Sequence, residues 1–194
     1  MTYEIMHVSS DDLVRSYVGK YKEFRLLSLQ VAPEAFASNY ATEAAFLDEV
    51  WYERLANPHA ATYFALENSK IVGTVSMLGP LIYGPEDMAV LGNPWQAIGD
   101  KTSDEQAMGH MHYRMNGVFT LPDVRGQGVG KALIEAALKY AGDEAAVQGK
   151  VFVCSVVVES ENSGARRLYE RCSFVAMKEV PNGDTAVILM TTPG

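Results

Sequence analysis

The chain has 194 residues, 48% of them hydrophobic and 21% charged, and its formal net charge is −8. This length and composition are ordinary for a single globular domain over residues 1–194 with a core of its own. The acidic balance argues against duplex nucleic acid as a partner. Because the sequence has no apolar run of about 18 residues, it predicts no membrane span.

Two cysteines are present, Cys154 and Cys172, and the first residues include the acidic Glu4, Asp11 and Asp12. Two cysteines make neither a metal cluster nor a disulfide framework, which indicates a reducing compartment. An acidic start without an apolar stretch is not typical of a secretory signal. The sequence therefore predicts a cytoplasmic protein that uses no metal and does not associate with a membrane.

The first elements expected along the chain are a strand at 3–8 and a helix capped by Ser9 or Ser10. Pro33 ends this helix, because the residue before a proline is disfavoured in the helical conformation. Phe36 follows the break as an apolar anchor. Three further elements are expected before residue 79: an amphipathic helix at 46–55 and the two strands of a hairpin at 61–66 and 71–77.

Residues 79–109 carry several prolines and glycines and then a polar run, so no regular element is predicted there. A loop of this length is uncommon in a compact domain unless it is a functional lid or is disordered. Apolar residues such as Leu81, Val90 and Trp95 argue against full disorder. We therefore expect an insertion that forms a lid over a ligand site, with its acidic tip exposed.

Residues 110–120 predict a long strand whose two faces differ in polarity. One face would carry His110, His112, Arg114, Asn116 and Val118, and the other Met111, Tyr113, Met115, Gly117 and Phe119. Polar side chains repeated along one face are costly to bury without partners, so this face is a candidate site wall. A β-bulge near the glycine would break the alternation.

A glycine-rich turn follows this strand and opens a helix. Gly126, Gly128 and Gly130 alternate there, and apolar residues then recur at helical spacing from 129 to 140. Glycines leave the first helical N–H groups open, the helix dipole adds partial positive charge, and Arg125 and Lys131 flank the turn. The pattern predicts a phosphate or diphosphate ligand; a helix start that needs glycine only for tight packing is the alternative.

Two familiar phosphate-binding motifs do not fit this turn. A Walker loop, G-x-x-x-x-G-K-S/T, would need glycine where Arg125 stands and a hydroxyl where Ala132 stands. A dinucleotide fingerprint, G-x-G-x-x-G, would need glycine at Lys131, and it belongs to the first strand of a βαβ unit. The turn therefore follows a third pattern, R-G-x-G-x-G, at residues 125–130.

The last third of the chain predicts a buried strand, a helix and a closing hairpin. Residues 151–158 are mostly β-branched, as in a strand covered on both faces. A helix is expected after Asn162, because the apolar Ala165, Leu168, Tyr169 and Cys172 follow at helical spacing. The hairpin would comprise strands at 174–180 and 186–190 joined by a turn at Asn182-Gly183.

Three segments together resemble the GNAT superfamily of N-acetyltransferases. Residues 125–130 are similar to its acetyl-CoA loop, and residues 162–174 are similar to its N-x-x-A-x-x-L-Y-x-x-x-G-F signature, with Ser173 in place of the usual glycine. Residues 25–38 look like R-x-x-x-L-x-x-x-P-x-A-F-x-S, found in members that act on small molecules, where the region lines the acceptor site. The resemblance implies an α/β (α+β) fold: a mixed, mostly antiparallel twisted sheet of six or seven strands, helices on both faces, and a splayed parallel pair in the middle.

The resemblance also implies acetyl-CoA as co-substrate and a set of residues that bind it. The backbone groups of Val118 and Thr120 would pair with pantetheine, the amides of residues 126–131 would hold the diphosphate, and the Asn162 amide would bond the arm. The implied cofactor-binding residues are Val118, Phe119, Thr120, Arg125, Gly126, Gln127, Gly128, Val129, Gly130, Lys131 and Asn162. For Asn162, a helix N-cap is an alternative role, and the two roles are compatible.

The implied reaction is direct attack of a primary amine on the thioester, without a covalent enzyme intermediate. Tyr169 matches the family's usual general acid. The general base is less well defined. His112 and His110 are candidates because histidine ordinarily titrates near neutral pH, and Glu43 would serve through water. A small-molecule amine is the expected acceptor. The alternatives are acetylation of protein N-termini or lysines, and a non-catalytic acyl-CoA-binding module. The sequence leaves open whether the protein forms a homodimer.

Overall fold

A computed structural model describes residues 2–82, 109–182 and 185–192 of the chain. Its strands are β1 (Glu4–His7), β2 (Ala60–Glu67), β3 (Lys70–Leu81), β4 (His110–Thr120), β5 (Val151–Glu159), β6 (Val175–Asn182) and β7 (Thr185–Thr191). Its helices are α1 (Asp11–Val31), α2 (Tyr40–Ala44), α3 (Asp48–Ala56), α4 (Val129–Val147) and α5 (Ser163–Arg171), with single 3-10 turns at Pro33–Ala35 and Pro122–Val124. The expected lid at 79–109 falls, from residue 83 to 108, outside the described residues.

The seven strands form one mixed sheet in the order β1-β2-β3-β4-β5-β7-β6. Strands β1 and β2, β5 and β7, and β6 and β7 pair antiparallel, whereas β4 and β5 pair parallel. The parallel register runs from His110 opposite Val151 to Arg114 opposite Ser155, and both strands continue beyond it. The expected fold class, a mixed sheet with a parallel pair in the middle, is confirmed.

The chain divides into two compact units, the first of which comprises Met1–Ser76 and Gly117–Ala137. Ser10 is the N-cap of helix α1, and its hydroxyl accepts a hydrogen bond from the Leu13 amide at 3.3 Å. Ala32 is the C-cap, directly before Pro33, as the sequence predicts. Apolar side chains of α1 pack with the sheet, and the buried core residues include Val8, Val14, Phe24, Phe64 and Phe119.

The second unit comprises Met77–Asn116 and Leu138–Gly194. Strand β5 is buried at Val153, Cys154 and Val156, in keeping with its β-branched sequence. Helix α5 ends with Ser173 at φ +67°, a left-handed conformation that usually favours glycine. The Phe174 amide there donates to the Tyr169 carbonyl at 3.0 Å, which closes the helix end.

Three details differ from the sequence-based expectations. Helix α2 was not predicted, because five residues capped by the Asn39 side chain are too short to show periodicity. Strand β3 continues through Gly79 to Leu81, in the stretch expected to lack regular structure. The two faces of β4 do not differ in burial near its start, since Met111, His112 and Tyr113 are all buried, and Gly117 at φ +60° interrupts the extended backbone.

None of the helices among the described residues is long and apolar enough to cross a membrane.

Candidate functional site

The glycine-rich turn between β4 and α4 has a backbone that requires glycine. Gly126 has φ +76° and Gly128 has φ +85°, and residues other than glycine rarely adopt these values. Among the described atoms, a Cβ placed on Gly126 would meet none within 4 Å, and one on Gly128 would meet the Tyr3 hydroxyl alone, at 3.7 Å. The turn therefore presents an open main-chain surface at the start of the helix.

Six backbone amides lie between the last hydrogen bond of the 3-10 turn and the first hydrogen bond of α4. The preceding 3-10 turn closes with the hydrogen bond from the Arg125 amide to the Pro122 carbonyl, at 3.2 Å. The first helical bond of α4 runs from the Ala132 amide to the Gly128 carbonyl, at 3.0 Å. The amides of residues 126–131 lie between these two bonds, at the positive end of a 19-residue helix. This arrangement fits a diphosphate, since it offers several N–H donors without steric cover.

The polar side chains that flank the turn contact the protein itself. The Arg125 Nε donates to the Thr120 carbonyl at 3.3 Å, and its guanidinium lies over the Phe119 ring at 5.5 Å. The Gln127 side-chain amide donates to the Asp123 carbonyl at 3.0 Å. Lys131 pairs with Glu135 one helical turn further on, at 2.9 Å. These contacts link the flanking side chains to the turn and to the first turn of α4.

The end of β4 packs tightly against β3 and α4 within the first unit. Val118 and Thr120 are half-buried, and Phe119 is buried against the rings of Phe24 and Phe36. A Cβ on Gly73 would lie 2.9 Å from a Leu133 methyl carbon and 3.2 Å from the Phe119 carbonyl oxygen. A side chain at position 73 would crowd the Phe119 carbonyl, so glycine suits the close approach of β3 to the end of β4.

In the second unit, α5 carries the two residues singled out in its signature. The Asn162 side-chain oxygen accepts a hydrogen bond from the Ala165 amide at 3.0 Å, so Asn162 is the N-cap of α5. Tyr169 is 6% exposed and its ring contacts that of Phe174 at 5.5 Å. Burial raises the pKa of the Tyr169 hydroxyl, with the nearby thiols of Cys154 and Cys172 adding to the effect. The hydroxyl consequently stays protonated at neutral pH.

His112 lies within the sheet. Its Nε2 is 2.7 Å from the Ser155 hydroxyl on β5, and both side chains are at most 1% exposed. This hydrogen bond orients the ring, although the tautomer depends on which atom donates. The structure thus brings His112 together with a buried serine, which the sequence did not indicate, and its role as base stays a prediction.

Glu43, the other candidate base, forms two ion pairs within the first unit. Its carboxylate is 2.8 Å from Arg25 Nη2 and 2.7 Å from Arg54 Nη1, and it is 1% exposed. Burial alone would raise the pKa of Glu43, but hydrogen bonds from the two arginines outweigh it and hold the pKa at about 2. A carboxylate with so low a pKa is a poor proton acceptor at neutral pH.

In the segments 2–82, 109–182 and 185–192, no group of three histidine, cysteine, aspartate or glutamate side chains is arranged to hold a metal ion. The two cysteines, Cys154 and Cys172, are both free and buried.

Residues 26–174 of the chain match the sequence model of the acetyltransferase (GNAT) family. Mycothiol acetyltransferase from Rhodococcus jostii (strain RHA1) is 33% identical over 89 residues, which are 46% of this chain and only 26% of that relative. Among solved structures, a GNAT-family acetyltransferase from Streptococcus pneumoniae superposes with a TM-score of 0.67 at 16% identity, over 98% of both chains. Arabidopsis thaliana NAA60 in complex with acetyl-CoA superposes with a TM-score of 0.63 at 15% identity, over 98% of this chain and 97% of the other.

The two structural matches show the fold alone, because their sequence identities are low. The family match covers more than half of the chain, including the glycine-rich turn and the α5 signature. The chain therefore belongs to the acetyltransferase (GNAT) family.

Proposed function

We propose that this protein binds acetyl-CoA and transfers the acetyl group directly to the primary amine of a small molecule. The observation that carries the proposal is the cluster of six main-chain amides at 126–131, opened by glycines at positive φ in a chain of this family. Amides at a helix start bind a diphosphate well, and coenzyme A contains one.

Each binding residue has a role that its surroundings support. The amides of 126–131 hold the diphosphate, while Phe119, Arg125 and Gln127 keep the turn in shape. The backbone groups of Val118 and Thr120 pair with pantetheine. Asn162 bonds the same arm through its side-chain nitrogen, since its oxygen already caps α5.

Acetyl-CoA supplies the acetyl group as a thioester. The amine forms the new C–N bond while the C–S bond breaks, so the protein must hold the two reactants together and manage two protons. Tyr169 donates its phenolic proton to the departing sulfur, a role for which its buried, protonated hydroxyl is suited. It regains a proton from the nitrogen, which loses its second proton as the amide forms. His112, oriented by Ser155, accepts the proton that the ammonium must lose before attack, directly or through water.

Calorimetry with coenzyme A, followed by a CoA-release assay against amines, tests the proposal. We expect binding in the micromolar range and release with at least one small amine. The absence of heat with coenzyme A would overturn the proposal. Release only with peptides bearing free N-termini or lysines would instead support protein acetylation, and binding without release across the whole panel would support a non-catalytic module.

A pair of glycine variants shows whether the turn is the binding site. Gly128→Val and Gly149→Val place the same branched side chain at positive φ, +85° and +66° respectively, so both strain the backbone. Of the two, Gly128 alone belongs to the turn. We expect Gly128→Val to weaken coenzyme A binding more than tenfold and Gly149→Val to leave it unchanged, with thermal unfolding reporting that both variants are folded.

A further inference from the structure

The hydroxyl of Tyr3 lies beside the glycine-rich turn. A Cβ on Gly128 would be 3.7 Å from this oxygen, and no other described atom outside the adjoining residues comes within 4 Å of that point. Tyr3 directly precedes β1, whose first residue, Glu4, pairs with Leu66 of β2. The chain is therefore fixed by sheet pairing one residue after Tyr3, and the half-buried ring is held close to the start of α4.

The side chains expected to bind the anion have contacts of their own. Arg125 lies over Phe119, Gln127 donates back to Asp123, and Lys131 pairs with Glu135. The Tyr3 hydroxyl has a different position, because it lies 3.7 Å from the point where a Cβ on Gly128, the residue immediately before the helix, would stand. A phenol donates one hydrogen bond through a stiff ring, so it adds a directed side-chain donor next to the main-chain amides.

We infer that Tyr3 is a further binding residue of this site, and that its hydroxyl donates a hydrogen bond to the diphosphate of the acyl donor. The inference rests on the proposed function and adds a residue that the family motifs do not include. It also names the group recognised: the diphosphate bridge, as distinct from the 3′-phosphate of coenzyme A. The proposed contact is a hydrogen bond, so no covalent bond is made or broken and no proton is transferred.

Calorimetry on wild type and Tyr3→Phe, with coenzyme A and dephospho-coenzyme A as probes, tests this. A hydrogen bond to a charged oxygen is among the stronger ones, so losing it should weaken binding about tenfold. Because both probes contain the diphosphate, we expect the same fold loss for each. Tyr17→Phe removes a hydroxyl from another half-buried tyrosine of the same unit, packed on Phe64, and should leave both affinities unchanged.

Each outcome separates the inference from the proposed function. Equal losses of about tenfold for the two probes, with Tyr3→Phe unfolding at the wild-type temperature, support the inference. Unchanged affinities in Tyr3→Phe overturn it while leaving the proposed function in place. A loss seen with coenzyme A but not with dephospho-coenzyme A overturns the diphosphate assignment, because the contact would then be to the 3′-phosphate. A wild-type protein that gives no heat with either probe overturns the proposed function and this inference with it.

Discussion

Tyr169 is the single residue whose surroundings bear most directly on the chemistry. Its burial raises the pKa of the phenol, so the protonated, donating form is the one populated across the neutral range. An ordinary thiol has a pKa near 8.5, so a thiolate leaving group benefits from a proton donor at neutral pH. The C-terminal end of α5 holds the ring in place, since both Cys172 and Phe174 donate backbone hydrogen bonds to the Tyr169 carbonyl.

Replacing Tyr169 with phenylalanine should lower turnover about 100-fold, because the departing sulfur loses its proton donor. The affinity for coenzyme A should change little, since the ring and its packing on Phe174 are kept. Initial rates of CoA release and calorimetry measure the two quantities. Because burial raises the pKa, the wild-type rate should show no loss from phenol ionisation as the pH rises from 6 to 9.

Tyr140→Phe is the matched control for this variant. Tyr140 is a half-buried tyrosine of α4 whose pKa is also raised by burial, but we assign it no role in transfer. Its loss should leave turnover within about twofold of the wild type. A Tyr169→Phe enzyme with wild-type turnover would remove the proposed acid role, whatever the control shows.

Ser173 illustrates what a single residue of the sequence does and does not predict. The α5 signature indicates a helix end at this point, and the structure has one. The usual glycine is absent, yet serine adopts the same left-handed conformation, at φ +67°. The motif therefore specifies the backbone geometry, and closing hydrogen bonds such as that from the Phe174 amide maintain it with a less favourable residue.

At the scale of elements, one carboxylate joins three helices. Arg25 of α1 and Arg54 of α3 both contact Glu43 of α2, at 2.8 Å and 2.7 Å. The guanidinium of Arg25 lies 4.2 Å from the Phe36 ring centroid, and that of Arg54 lies 4.9 Å from that of Phe46. The network thus orders the segment between α1 and α3, where helix α2 alone is too short to be stable.

Glu43→Gln should lower the free energy of unfolding at pH 7 by about 3 kcal/mol. This magnitude follows from a pKa held at about 2 against an ordinary 4.5, at about 1.4 kcal/mol for each unit. Because the folded-state pKa is the lower one, the carboxylate stabilises the protein above its unfolded pKa. This contribution is lost as the pH falls from about 5 towards 2. Denaturant unfolding of both proteins from pH 7 to pH 2.5 measures the effect.

The exposed Glu34 provides the control, since Glu34→Gln removes a carboxylate of the same size without an ion pair among the described residues. Its unfolding free energy should stay within about 0.5 kcal/mol of the wild type. The difference between wild type and Glu43→Gln should shrink towards pH 2.5. A difference that is the same at both ends of the pH range would contradict the assignment of the stabilisation to the ionised carboxylate.

The elements were predictable where local chemistry decides them. The end of β4 before Pro122, the capped start of α1 at Ser10 and the end of α1 before Pro33 follow from two prolines and a serine. The ion pairs of Glu43 were not predictable, because they join residues 18 and 11 positions away through tertiary packing. The same holds for the position of the Tyr3 hydroxyl near Gly128, and for the hydrogen bond of His112 with a serine on the neighbouring strand.

For the whole molecule, net charge and local binding chemistry act in opposite directions on an anionic ligand. A formal net charge of −8 repels coenzyme A at long range. On the proposed function, the turn attracts it through amides and a phenol, which carry no net charge, while Arg125 and Lys131 form contacts within the protein. The affinity should therefore depend little on ion pairs between ligand and protein.

Salt dependence of coenzyme A binding distinguishes these two sources of affinity. Raising NaCl from 20 to 200 mM shortens the screening length from roughly 20 Å to below 10 Å, which weakens both the long-range repulsion and any exposed ion pair. If neutral donors dominate, the dissociation constant measured by calorimetry should change by less than about threefold. The double variant Arg125→Gln, Lys131→Gln should then show the same flat profile. The opposite outcome is a wild-type affinity that falls more than about tenfold with salt and a double variant that no longer shows this dependence. It would mean that Arg125 and Lys131 bind the phosphates directly and that their contacts within the protein open when the ligand binds.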